Sequence, residues 1–346
     1  MMNMAVGRGA IVTIFIFFSI FHSSEAFKNP LFVGFYDSKC PQAENIVFDV
    51  VFKAIIEDSG NAAGLIRLFF HDCFVNGCDA SILLDSTPSG EPVEKNSTAN
   101  GKTLRGLEVI DEIKVNLEAE CPGIVSCADI LSFAAREAVV HSGIFNFPYA
   151  VPAGRRDGLS SRSAEVTGNL VGPSTPMDEI IQSFTKRGLN IEEMVALLGA
   201  HSVGITHCRF VDYRLYNFRP NATKDPILSD EYAYFLSGQC PPRNSSFPKF
   251  LGGDLELGNE VRFDLISPPS VVENTFYTNL LEGKSLLESD QMLASDPRTR
   301  PFVQLMASDQ FLWSRKFARA MIQLGMVDVL TGSKGEIRRN CRAVNL

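Results

Sequence analysis

Two stretches of the chain gather side chains able to do chemistry. The first, AAGLIRLFFHDCFVNGCDAS from Ala62 to Ser81, holds Arg67 and His71 four positions apart. On a helix this spacing puts both on one face, where a cation and a titratable imidazole can serve the same small volume. The turn that follows offers oxygen donors from the side chains of Asp72, Asp79 and Ser81 and the carbonyls of Val75 and Gly77. Hard oxygen ligands on a flexible turn suit calcium, although the pattern is not that of an EF-hand, which needs closely alternating Asp or Asn and a closing glutamate. Cys73 and Cys78 bracket this turn and can either pair or, with His71, bind zinc. The Cys-x-x-Cys spacing of structural zinc sites is lacking.

The second stretch, MVALLGAHSVGITHC from Met194 to Cys208, ends an apolar helical run at His201, beside Gly199, Ala200 and Gly204. A histidine there can simply cap the packing of its helix. It can also serve as a metal ligand, and small neighbours would let a flat macrocycle approach the imidazole closely, the access an axial haem ligand requires. His207 has no comparable setting.

These residues need elements to hold them, and the sequence supplies helices. Thr175 to Gly188 carries a capping threonine, Pro176 at the first helical position, early Asp178 and Glu179, and a closing Lys186-Arg187-Gly188. Ser126 with Asp129 opens a helix to Gly143, and Leu107 to about Glu120 repeats apolar residues at helical spacing. Asn190 with Glu193 opens a helix over Met194 to about Ala200, and Phe311 to Leu324 forms a late one. Strand-like alternation is scarce, so the expected class is all-α. Without repeats, low-complexity tracts or long linkers, one compact domain is expected.

The N-terminus has a single Arg8, an apolar run from about Ala10 to Phe21 and the small-residue pattern Ser24-Glu25-Ala26. This predicts a secretory signal peptide over residues 1–26, cleaved near Ala26, with the domain occupying 27–346. The run is too short for a comfortable membrane span, and no second one follows, so no membrane association is expected after cleavage. Net charge is −8, with no dense Lys/Arg cluster, which argues against a nucleic-acid partner. Eight cysteines in a secreted chain predict four disulfides, whose pairing the spacing alone cannot choose. Asn96, Asn221 and Asn244 open glycosylation sequons.

The chain closely resembles the plant secretory (class III) haem peroxidases over nearly all of residues 31–346. The matching segments are FYDSKCP at Phe35–Pro41, RLFFHDCFVNGCDASILL at Arg67–Leu84 and RGLEVIDEIK at Arg105–Lys114. They continue with VSCADIL at Val125–Leu131, GRRDG at Gly154–Gly158, ALLGAHSVG at Ala196–Gly204, SDQMLAS at Ser289–Ser295 and CRAVN at Cys341–Asn345. The resemblance implies the haem-peroxidase fold, two helical lobes enclosing haem b, and a secreted enzyme of the extracellular space, cell wall or vacuole. It also implies hydrogen peroxide-dependent, one-electron oxidation of small phenolic donors by a monomer, in roles such as peroxide removal, lignin or wall-phenolic oxidation and the oxidative stress response.

Residue by residue, the resemblance implies His201 as axial iron ligand with Asp290 accepting its other N–H, which favours ferric and higher-valent iron. It implies His71 as acid–base group, Asn100 as the acceptor that fixes its tautomer, Arg67 as charge stabiliser and Glu94 as the link from Asn100 to the calcium turn. Two calcium ions are implied, the distal one on Asp72, Val75, Gly77, Asp79 and Ser81, the proximal one on Ser202, Asp264, Ser267 and Glu273. The implied disulfides are Cys40–Cys121, Cys73–Cys78, Cys127–Cys341 and Cys208–Cys240. Three departures stand out: Val171 replaces a substrate-contacting proline, the loop from Asp264 to Asn274 is one residue longer and ends in Glu273 in place of aspartate, and the family's usual tryptophan is missing near Tyr149. The competing expectations are a haem-free secreted scaffold, against which the intact Arg67, His71, Asn100, His201 and Asp290 argue, and a zinc hydrolase, which requires free thiols.

Overall fold

The computed structural model describes residues 31–143, 149–242, 257–263 and 271–345. The expected signal peptide, the sequon at Asn244 and the ligand candidates Asp264 and Ser267 lie outside them. The described chain is helical: α1 (Ala43–Glu57), α2 (Gly60–Val75), α3 (Leu107–Glu120), α4 (Cys127–His141), α5 (Ser163–Val166), α6 (Met177–Lys186) and α7 (Ile191–Leu198) come first. Then follow α8 (Asp212–Tyr216), α9 (Asp230–Gln239), α10 (Thr275–Leu281), α11 (Glu288–Leu293), α12 (Arg300–Ser308) and α13 (Gln310–Leu324). A short antiparallel pair, β1 (Ile205–His207) and β2 (Glu260–Arg262), sets Thr206 opposite Val261.

Helix α4 is buried on nearly every side, as a helix apolar all round must be. Its start is set by Ser126, whose hydroxyl accepts from the Asp129 amide at 3.1 Å. It packs against α1, α2 and α3, so the helix carrying Arg67 and His71 lies directly on the most deeply buried element. Asp129 is the deepest of the buried polar residues inside α4, with Ser132 and Glu137 the others. Its carboxylate accepts from the Tyr36 hydroxyl at 2.7 Å, the Arg155 guanidinium at 2.7 Å and the Gly154 amide at 2.8 Å, which compensates the cost of burying the charge.

On the other side α7 packs against α13, α12 and α6, and α10 against α12. Asn190 and Glu193 form the expected reciprocal cap, each side chain accepting from the other's amide at 2.9 Å. Helix α7 runs Ile191–Leu198, and the chain then tightens into a 3₁₀ turn, Gly199–Ser202, that presents His201. The start of α6 differs from expectation: Thr175 does not cap it. Pro176 takes an extended conformation just outside the helix, and Thr175 Oγ1 instead accepts from the Gly172 amide at 2.8 Å, closing the preceding turn.

One large apolar core joins α1 to α4 with α6, α7 and α10 to α13. A smaller satellite core is built by Val211, Leu215, Leu228, Tyr232, Leu236 and Val261, around the buried Arg214–Asp225 ion pair at 2.8 Å. Disulfides join Cys40 to Cys121, Cys73 to Cys78, Cys127 to Cys341 and Cys208 to Cys240. No cysteine is left free, which removes the thiolates that a zinc site would need. The Cys127–Cys341 bond closes a separation of 214 residues, and cross-links of that span restrict the unfolded chain most.

Candidate active site

Helix α2 brings Arg67 and His71 together as their spacing requires. Protein surrounds both side chains, yet each keeps some accessible surface, as side chains lining an interior space do. The Arg67 guanidinium donates to the carbonyls of Thr103 at 2.7 Å and Ala99 at 2.8 Å, and to Thr103 Oγ1 at 3.1 Å. Burial lowers its pKa to about 10, so it stays charged at neutral pH. It pairs with no carboxylate among the described residues, and its positive charge is therefore not neutralised locally.

His71 Nδ1 lies 2.6 Å from Asn100 Oδ1. The orientation of that amide follows from its other end, where Asn100 Nδ2 donates to the Glu94 carbonyl at 2.9 Å. Oδ1 is then the acceptor, Nδ1 carries the imidazole proton, and Nε2 is left with a lone pair. Burial, then the nearby Arg67 charge, pushes the His71 pKa well below the ordinary imidazole value, and the Asn100 bond only partly offsets this. His71 is thus a neutral base at neutral pH.

His201 is near enough that a positive charge on it would depress His71 further. Its Nδ1 lies 2.9 and 3.0 Å from the two carboxylate oxygens of Asp290, a buried residue of α11. The proton again sits on Nδ1 and Nε2 is open to a ligand. Phe263 stacks on the imidazole with ring centres 4.8 Å apart, and Phe276 meets it edge-on. Of the small residues beside His201, Gly199 makes room for packing. A Cβ on Gly199 would run into the Tyr277 hydroxyl and come within 2.8 Å of Trp313 Nε1, so this glycine admits the α10 and α13 aromatics.

The turn after α2 gathers oxygens. Asp72 accepts from the amides of Ala80 at 3.0 Å and Ile82 at 3.4 Å, and Asp79 from Ser81 at 3.0 Å. Val75, the last residue of α2, and Gly77, on the turn, lie between the two carboxylates in sequence. Gly77 has φ +93°, and a Cβ there would come within 2.6 Å of the Asp328 carbonyl, so only glycine fits. Glu94 is fully buried nearby, its Oε1 accepting from Asn76 at 3.2 Å. Glu94 Oε2 and Ser81 Oγ are buried without a well-formed hydrogen bond, although Ser81 Oγ sits beside the carboxylates of Asp79 and Glu94. Burial pushes Asp79 up to about 6 and Glu94 to about 8, and burial with repulsion from both raises Asp72 strongly. Crowded buried oxygens short of donors fit a hard cation. Among the described residues no three of His, Cys, Asp and Glu form a metal cluster.

Of the proximal calcium candidates, Ser202 and Glu273 are brought together, Ser202 Oγ accepting from the Glu273 amide at 3.1 Å. Val171 is half-buried against the main core. Its segment is tied to α11, where the Ser289 amide donates to the Pro173 carbonyl at 2.9 Å, one residue before Asp290. Sequence reasoning missed the groups that hold these parts. Thr103 and Ala99 anchor Arg67 through carbonyls, and Arg187 donates both to the Phe74 carbonyl and, at 2.8 Å, to Asn169 Oδ1, joining α2 to the Val171 segment. A backbone carbonyl carries no residue-type signal, so nothing in the sequence could mark it.

A peroxidase family model matches residues 47–309. Peroxidase 5 of Vitis vinifera is 46% identical over 313 residues, covering 90% of this chain and 91% of that protein. Peroxidase 49 of Arabidopsis thaliana is 41% identical over 337 residues, 97% of each, and Peroxidase 1 of Zea mays 41% identical over 316 residues, 90% of this chain and 83% of that protein. With two neighbouring imidazoles, an unneutralised arginine and a buried oxygen-rich turn already in place, these matches show that the chain belongs to the peroxidase family, as a haem peroxidase of the plant secretory class.

Proposed function

We propose that this protein uses hydrogen peroxide to oxidise small phenolic donors by single electrons, with haem b between His71 and His201. The observation that carries this reading is the contrast in hydrogen bonding, His71 to a neutral amide and His201 to a carboxylate. Haem iron held by His201 Nε2 would supply the reduction of peroxide and take electrons back one at a time from donors. His71 Nε2 takes a proton from one peroxide oxygen and returns it to the oxygen that leaves as water. Asn100 keeps that nitrogen unprotonated by holding the proton on Nδ1. Arg67 offsets the negative charge that grows as the O–O bond polarises.

Asp290 pulls on the His201 Nδ1 proton, which makes the imidazole a stronger donor to iron. Calcium at Asp72, Val75, Gly77, Asp79 and Ser81 would neutralise the crowded carboxylates at the end of α2. Glu94 then links that turn to Asn100 and so to His71. A second calcium is assigned to Ser202, Asp264, Ser267 and Glu273. A donor phenol reaches the Val171 segment, where the Val171 carbonyl accepts its hydroxyl. The signal-peptide pattern over residues 1–26 and the four disulfides support delivery by the secretory route, to the extracellular space and wall or to the vacuole, and the processed protein acts as a monomer.

The test is the visible spectrum of the haem-loaded protein before and after one equivalent of peroxide, and again after a phenol. A Soret band that shifts and returns is expected. A Soret band indifferent to peroxide refutes the roles of Arg67 and His71, and failure to bind haem refutes the role of His201.

A further inference from the structure

Tyrosine, tryptophan and free cysteine are the side chains that yield a single electron most readily. All seven tyrosines, the single tryptophan and the eight cysteines lie among the described residues, so their exposure can be compared over the whole chain. Every cysteine is in a disulfide, and Trp313 is fully buried. Tyr36, Tyr232 and Tyr277 are buried, and Tyr36 and Tyr277 donate to Asp129 and to the Val195 carbonyl. Tyr213 and Tyr216 are half-buried, with hydroxyls donating to Glu288 at 3.0 Å and the Cys240 carbonyl at 2.7 Å. Tyr149 is half-buried, and burial raises its phenol above the ordinary range.

Tyr234 stands apart, with 84% of its surface exposed. It sits in the middle of α9, whose start is capped by Ser229 and whose end is tied through Cys240 to Cys208, so the phenol is carried on a fixed element. Phe235 beside it is also exposed, stacked on Tyr232, and adds a flat apolar surface for an aromatic ring. Neither α9 nor its satellite core contains Arg67, His71, Asn100, His201 or Asp290. The protein thus displays one open phenol, of the same chemical class as its donors, outside the catalytic apparatus.

We propose that Tyr234 is a modification site, where the enzyme's own phenoxyl products become covalently attached. The proposal rests on the phenolic-donor reading. One equivalent of peroxide and two of donor phenol give two phenoxyl radicals and two waters. One radical takes the hydrogen atom of the Tyr234 hydroxyl and is returned as phenol. The second joins the tyrosyl ring at the carbon ortho to oxygen, and the displaced ring proton moves to oxygen. The net change adds one phenol less two hydrogen atoms. A donor carried on a polymer would fix the enzyme to that polymer by the same bond.

The experiment treats the haem-loaded protein with peroxide and p-cresol, follows cresol consumption, and maps labelled peptides by mass spectrometry. The expected result is an adduct of one cresol less two hydrogens on the Tyr234 peptide, requiring both reagents, with the other six tyrosines unlabelled. Tyr234→Phe should consume cresol at the wild-type rate and take up no label. Cresol consumed without label at Tyr234, label spread evenly over the tyrosines, or a Tyr234 cross-link between two protein copies in place of the cresol adduct would each overturn the proposal while leaving the donor reading intact. Absence of cresol consumption would instead overturn the donor reading, and the proposal with it.

Discussion

His71 and His201 are the same side chain with the same tautomer, and they differ in what accepts the Nδ1 proton. Asn100 offers His71 a neutral oxygen at 2.6 Å, in a setting where burial and Arg67 already oppose a positive charge. Asp290 offers His201 both oxygens of a carboxylate. The amide orients its imidazole without making it more basic than a proton shuttle can be. The carboxylate makes its imidazole electron-rich, as a lasting ligand to iron must be. One atom's difference in the partner separates a group that exchanges protons from a group that donates electrons.

Breaking the distal half should cost most. His71→Ala is expected to slow the reaction with peroxide by about 10²–10⁴-fold, the usual worth of positioned acid–base assistance, while the Soret band persists. Stopped-flow rates unchanged from wild type would remove His71 from the mechanism. Asp290→Asn makes the proximal side resemble the distal one and should cost about 10–100-fold in activity or haem retention. It should also make the iron easier to reduce, which a spectroelectrochemical titration reads; an unaltered potential would refute the role given to the carboxylate. The converse exchange, Asn100→Asp, gives His71 a charged partner and should shift the acid limb of its peroxide rate to higher pH, because the imidazolium is then favoured. An acid limb that stays in place would show that His71 ionisation does not govern it.

What could be read from the sequence follows from where the information is carried. The Arg67–His71 spacing, the Asn190–Glu193 cap and the Ser126 cap are local patterns, fixed by helix geometry within a few residues. The Asn100 and Asp290 contacts span 29 and 89 residues and were reachable only through resemblance to a family. Thr175 was misassigned because a hydroxyl before proline serves a tight turn and a helix cap equally well, and tertiary context chose the turn. Gly199 suggested room for a macrocycle, but the neighbours needing that room are Tyr277 and Trp313, which come from far along the chain. The carbonyls that anchor Arg67 and Arg187 leave no trace in residue type.

The smallest expected effect concerns the link from the calcium turn to His71. Asp79, raised to about 6, and Glu94, raised to about 8, favour protons over charge in this buried cluster. Calcium and protons therefore compete for the same oxygens, and the cation binds more tightly as pH rises through those values. The sign for stability follows. In calcium-free protein these carboxyls are protonated at acid pH and do not repel; Asp79 ionises as pH rises through about 6 and Glu94 through about 8, so the stability they hold in acid is lost across that range and is gone above it. Chelation should accordingly lower the thermal midpoint more above pH 8 than near pH 6, and slow the peroxide reaction a few-fold through the Glu94–Asn100 contact rather than abolish it. Equal thermal shifts at both pH values would mean that the turn does not exchange protons for calcium. A peroxide rate that survives prolonged chelation unchanged would detach the turn from His71 and leave Asn100 to orient the imidazole by itself.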